Sequence, residues 1–135
     1  MALRIDLAAA AAIRAHGREA YPHECCGAMY GGDGEVRDVL ALPNVTAEGP
    51  RRRFRVSDGD YRAAEARAAA LGLALVGFYH SHPDHPAEPS QYDLDHAWPN
   101  WSYVIVSVQG GQPADLRSWR LREDRSRFDE EALIV

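Results

Sequence analysis

The chain contains no lysine: all fifteen of its basic side chains are arginine, set against 20 acidic ones for a formal net charge of -5. An acidic balance of this kind argues against a general nucleic-acid binder, which needs a basic surface to meet phosphates. Cysteine is scarce as well. The two present, Cys25 and Cys26, are adjacent, and neighbouring residues bridge only through a strained geometry, so no ordinary disulfide is available. Thiolates favour closed structural zinc sites, and no second cysteine pair exists to complete one. The pair reads as reduced, packed thiols, which suits a reducing, cytoplasmic compartment.

Long apolar runs are also missing: none approaches the roughly 20 residues a membrane-spanning helix requires. Residues 7–13, Leu-Ala-Ala-Ala-Ala-Ala-Ile, are interrupted in front by Asp6 and followed by Arg14, His16, Arg18 and Glu19, which is not the profile of a signal-peptide core. There is no internal repeat of solenoid length and no low-complexity stretch beyond these alanines. With 135 residues the chain has the size of one domain with one core. Residues 1–135 are therefore expected to form a single domain.

What is there is an alternation of helix and strand signals. Alanine-rich residues 6–18 predict a helix capped by Asp6 and ended by Gly17 and Pro22. Residues 25–30 predict a strand, and Asp33-Gly34 a tight turn into a second strand over 35–42. Residues 44–53 read as loop and 54–56 as a short edge strand. Within them Arg51, Arg52 and Arg53 read as a solvated patch, with docking of an acidic partner as the alternative. Ser57-x-x-Asp60 is a capping box opening a helix with Tyr61, Ala64, Ala68 and Leu71 at helical spacing. Residues 73–79 predict a central strand buried on both faces. A short helix from Ser90 to about His96, a buried strand over 101–108 and strands over 115–121 and 128–135 complete an α/β fold, a mixed sheet flanked by helices.

Residues 77–96 concentrate the chemistry. His80 and His82 lie two apart at the end of a buried strand, so their side chains share a face and can point at one ion. A Pro-rich loop later, Ser90-x-x-Asp93 opens a helix. Imidazole nitrogens and a carboxylate are the donors of catalytic zinc sites, three from the protein with the fourth position open. His80, His82 and Asp93 are the candidate ligands. Because Ser57 and Asp60 repeat the spacing of Ser90 and Asp93, that half of the motif is also ordinary helix capping. The weight falls on the histidine pair, placed at the strand ends where α/β sheets carry their sites. Glu24, at the mouth of the first strand, reads on its own as a solvated surface carboxylate.

His80-Ser-His82-Pro, the residues to Pro89, and Ser90-x-x-Asp93 resemble the signature of the JAMM (MPN+) metalloprotease family. Glu24-Cys25-Cys26-Gly27 resembles the glutamate that the family sets before its first strand, and the likeness extends over essentially the whole chain. It implies a JAMM/MPN fold, whose element order resembles that of cytidine deaminases. It implies zinc held by His80, His82 and Asp93. Glu24 would take the proton of a water attacking a carbonyl and pass it to the leaving amine, and Ser90 would donate a hydrogen bond to the developing oxyanion. The chain is similar to the small stand-alone bacterial members, which trim ubiquitin-like sulfur-carrier proteins such as CysO-cysteine in cysteine metabolism. The implied reaction is hydrolysis of a peptide or isopeptide bond, and the implied partner a carrier that threads a Gly-Gly tail into the cleft by strand addition at an exposed edge.

Two other classes compete. A zinc hydrolase of small-molecule amides uses the same donors, although a deaminase would need His-x-Glu and Cys-x-x-Cys motifs that are absent. A non-catalytic scaffold module would not need all the ligand positions filled. Elsewhere, His85 is expected to face water, His23 and His96 to be surface or supporting groups, Ser81 to be structural, and Asp95 to point away from the ligand side. Trp101, Trp119 and Phe128 suit a homodimer interface or the core equally well.

Overall fold

The computed structural model describes residues 2–44 and 57–135. Its elements run β1 (Ala2–Ile5), α1 (Leu7–Ala20), β2 (Cys26–Gly32), β3 (Glu35–Leu42), α2 (Asp58–Leu71), β4 (Ala74–Pro83), α3 (Gln91–His96), β5 (Ser102–Gln109), β6 (Gln112–Leu121) and β7 (Phe128–Ile134). The mixed sheet with flanking helices is the architecture expected, with one addition. Strand β1 pairs in parallel with both β3 and β7, and so closes the order β1-β3-β2-β4-β5-β6-β7 into a ring. Four residues carry too little periodicity to announce a strand, and their place is set by partners far along the chain.

The ring limits strand addition. Among the described residues, strand edges lie open where β3 runs past Val36, where β7 precedes Ala132, and along β6 before Ser118. The predicted edge strand over 54–56 and the Arg51–Arg53 patch lie outside the described residues.

The two faces of the sheet bury separate clusters. Ala9, Ala10 and Ile13 of α1 pack with Leu3, Met29, Tyr79, Val104, Val106 and Val108, while Ala64 and Ala68 of α2 pack with Ala28, Tyr30, Phe78 and Tyr103. Small side chains let both helices approach closely. Gly17 does not end α1, as its sequence context suggested. It lies buried within the helix, where a Cβ would stand 3.0 Å from Val108 and 3.2 Å from Val106. Helix packing overrides the local breaker. Asp6 occupies the N-cap position without a side-chain cap bond, and its backbone N–H donates to Val36 O instead.

The remaining boundaries follow local chemistry. Ser57 caps α2, and Gly72, with φ of 68°, ends it in the left-handed conformation glycine supplies cheaply. Strand β4 then runs antiparallel to β2 and parallel to β5, from Gly77↔Ser102 to Pro83↔Val108. It carries both histidines inside the strand, with every residue buried from Gly77 to Pro83. Trp101 and Phe128 pack on the second cluster, and Trp119 donates its ring N–H to Ala87 O.

Candidate metal centre

Three elements bring the predicted donors together. Strand β4 points His80 and His82 to one side, with ring centroids 4.9 Å apart. Helix α3 begins with a complete capping box: Ser90 Oγ accepts from Asp93 N, and Asp93 Oδ2 accepts from Ser90 N at 2.9 Å. That box holds the Asp93 carboxylate over the histidines. Its Oδ2 lies 3.2 Å from His80 Nε2 and 3.1 Å from His82 Nε2, and the two Nε2 atoms are 3.1 Å apart. Donors about 2.0–2.1 Å from a tetrahedral zinc stand about 3.3 Å from each other, so this triangle has the size of one face of such a site.

The hydrogen bonding of His82 strengthens the fit. Its Nδ1 lies 2.9 Å from Pro86 O, which only an Nδ1–H can satisfy. With that proton on Nδ1, the Nε2 atom is the one turned toward the Asp93 oxygen, at 3.1 Å. Two acceptors at that separation need a cation or a proton between them. The Pro86 carbonyl orients the ring as outer partners of metal-ligating histidines do.

The third element is the entry to β2. Glu24 is buried, and the other face of β4 holds it there: Ser81 Oγ accepts from Cys25 N at 2.8 Å, while Ser81 N donates to Cys25 O at 3.1 Å. Ser81, between the two histidines, is thus the structural residue expected, and it fixes the position next to Glu24. Asn44 donates to the Glu24 backbone carbonyl. Ligand atoms of Glu24, His80 and His82 all lie within 4.8 Å of one another, a group that can hold a metal ion. Two overlapping donor sets therefore share the histidine pair, one completed by Asp93 and one by Glu24.

Electrostatics separates the two carboxylates. Burial first, and then the Asp93 charge, raise Glu24 from 4.5 to about 9, and its Oε1 has no hydrogen-bond partner. Burial also pushes Asp93 upward, but the charges and hydrogen bonds of His80 and His82 outweigh it and hold the carboxyl well below the usual range. Burial lowers His80, against the opposing pull of Asp93. One carboxylate is kept ionised as a ligand would be, and the other is kept ready to carry a proton. The solvated reading of Glu24 fails because the Ser81 clamp draws it beneath the surface.

Most of the other residues fall where they were expected or close to it. Cys25 and Cys26 are free and buried, and burial raises their thiols to about 11 and about 12, so neither offers a thiolate at neutral pH. His23, His85 and His96 are exposed. Asp95, expected to point away from the ligand side, instead lines, with His96, a cleft that also takes in His80 and Asp93, and it accepts from Gln91. The sequence reading missed this cleft. Its rings are scattered from Tyr61 to Phe128 and meet only in the folded chain.

The family described as prokaryotic homologues of the JAB domain matches residues 6–122. A desampylase from Haloferax volcanii is 36% identical over 82% of this chain and 86% of its own length. A CysO-cysteine peptidase from Mycobacterium tuberculosis is 31% identical over 90% of this chain and 82% of its own. A solution structure of a protein from Desulfitobacterium hafniense superposes with a TM-score of 0.84 at 31% identity, covering 99% of this chain and 92% of that one.

Proposed function

The chain belongs to the prokaryotic JAB-domain family, and from that footing we propose that it is a zinc-dependent peptidase acting on a peptide or isopeptide bond at the C-terminus of a ubiquitin-like sulfur-carrier protein. One observation carries the chemistry: the Asp93 oxygen and the two histidine Nε2 atoms stand 3.1–3.2 Å from one another, with a second buried carboxylate, Glu24, within 4.8 Å of the histidine donors. In this reading His80, His82 and Asp93 hold the metal, since Asp93 Oδ2 stands 3.2 Å and 3.1 Å from the two Nε2 atoms. Zinc bound there supplies a Lewis acid for the scissile carbonyl and an acidified water.

The chain's own residues do the rest. Glu24, in the ionised form that a cation held by the neighbouring donors would favour against the burial that raises it in the metal-free chain, takes the proton of the attacking water and delivers it to the leaving amine. Ser90 Oγ uses a lone pair to accept from Asp93 N, which leaves its O–H to donate to the oxyanion. Glu24, between β2 and the metal donors, approaches the carbonyl from inside the fold, and Ser90 from the α3 side. No covalent intermediate with the enzyme is needed.

The substrate class rests on the relatives. The mycobacterial relative's name specifies a CysO-cysteine substrate, and the carrier's flexible Gly-Gly tail is the segment slender enough to bring a carbonyl to a buried cluster. Among the described residues no helix is long and apolar enough to cross a membrane. The test is mass spectrometry of a ubiquitin-like carrier bearing one extra residue after its Gly-Gly end, incubated with zinc-loaded protein. Loss of that residue is expected. No loss, together with cleavage of an unrelated small amide, would make the protein a small-molecule hydrolase instead.

A further inference from the structure

The cleft beside the donors has a volume of about 900 Å³, at the upper end of the roughly 300–1,000 Å³ of typical ligand sites. The chemistry above uses only its inner end, His80 and Asp93. Phe78, Trp98, Trp101, Tyr103 and Phe128 line much of the remainder. These rings brace one another: Phe78 meets Trp101 edge-on at 6.0 Å and stacks on Tyr103 at 6.4 Å, and Tyr103 meets Phe128 edge-on at 5.8 Å. Such a lining is preformed, so an apolar group entering it orders little that is not already ordered.

One lining residue does not fit a purely apolar role. The Arg125 guanidinium lies over the Trp98 ring, 5.6 Å from its centroid, and Trp98 is itself tied down where its backbone N–H donates to Tyr103 Oη at 2.9 Å. Arg125 sits in the turn between β6 and β7 with φ of 62°, a left-handed conformation that arginine seldom adopts. The turn is locked by Arg125 N donating to Arg122 O and Arg122 N donating to Arg127 O. Arg122 and Arg127 both pair with Asp129. Arg125 has no carboxylate partner among the described residues. The acidic side chains of the lining are Asp58, Asp93 and Asp95, and they repel an incoming anion. Histidines aside, Arg125 is the cation a carboxylate would find there.

We propose that this cleft receives the leaving portion of the substrate, with an apolar residue against the rings and its free C-terminal carboxylate on Arg125. The inference rests on the hydrolase reading and narrows its substrate class. The preferred substrate is a carrier extended by a short apolar tail with a free end, rather than one joined through its tail to a lysine side chain, which presents no carboxylate at that point. Arg125 is a specificity residue that holds the substrate, and Trp98 positions it.

Binding of Gly-Gly-Phe as the free acid and as the C-terminal amide, followed by tryptophan fluorescence, tests this on the full zinc-loaded chain. The acid is expected to bind about tenfold more tightly than the amide, as a charge-assisted pair with guanidinium allows. In Arg125→Gly, which suits the left-handed turn and keeps the fold, the preference should vanish while amide binding stays the same. Arg125→Lys should restore part of it. Equal affinity for the two peptides, absence of binding by both, or a preference that survives in Arg125→Gly would overturn the assignment. Failure of the hydrolase reading would show separately, as an extended carrier left intact by protein that carries its zinc.

Discussion

At the start of α2 the Ser57 hydroxyl accepts from Asp60 N at 3.1 Å and donates to Asp60 Oδ2 at 2.8 Å. At the start of α3 the Ser90 hydroxyl also accepts from its aspartate N–H at 3.1 Å, but Asp93 Oδ2 is taken up by Ser90 N and the two histidine rings. Both segments are Ser-x-x-Asp, and both cap a helix. The first box closes on itself and uses the serine proton. The second leaves that proton free, because strand β4 presents His80 and His82 to the carboxylate. Identical local code thus gives a self-contained cap or a cap joined to a buried histidine pair, according to what the tertiary fold places opposite.

The largest expected effects break the second box. Asp93→Ala or His82→Ala should lose most bound zinc in elemental analysis and reduce hydrolysis to background, whereas Asp60→Ala should retain both zinc and turnover. Full zinc content in Asp93→Ala would remove it from the ligand set. Next in size is the serine pair. Ser90→Ala should lower kcat by about 10²–10³, as loss of one oxyanion donor does, and Ser57→Ala should leave kcat unchanged. Both serine variants should lose about 1 kcal/mol in denaturant unfolding, the usual cost of a missing cap. A Ser57→Ala enzyme as slow as Ser90→Ala would erase the distinction.

Much of this contrast was legible in the sequence, and the rest depended on long-range placement. The i, i+2 histidines, the two serine caps and the Asp33-Gly34 turn are local signals that appear in the fold as read, although the full reciprocal box forms only at Ser90 and Asp93. Strand β1 is too short to show itself, and Gly17 looked like a stop because its contact with Val106 and Val108 lies some ninety residues away in sequence. The burial of Glu24 comes from Ser81, more than fifty residues downstream, so only the family likeness had pointed to it. Trp101 and Phe128 were ambiguous between core and interface. They line the cleft together with Trp98 and Arg125, which no periodicity connects.

A further expected effect concerns pH in the metal-free chain. Folded Glu24 holds its proton up to about 9, whereas an unfolded glutamate releases it near 4.5. Between those values the folded state binds more protons, so its stability falls as pH rises across that window. Glu24→Gln should flatten this dependence in urea titrations of chelator-treated protein. An unchanged slope would mean that Glu24 is not the buried acid.

The same substitution in zinc-loaded protein separates metal binding from hydrolysis most directly. Zinc content and cleavage of an extended carrier are measured side by side in wild type and Glu24→Gln. One zinc per chain in both, with turnover lost only in the variant, is the expected result. Substantial turnover by Glu24→Gln would contradict Glu24 as the proton carrier, and loss of its zinc would make Glu24 a ligand and displace Asp93 from that role.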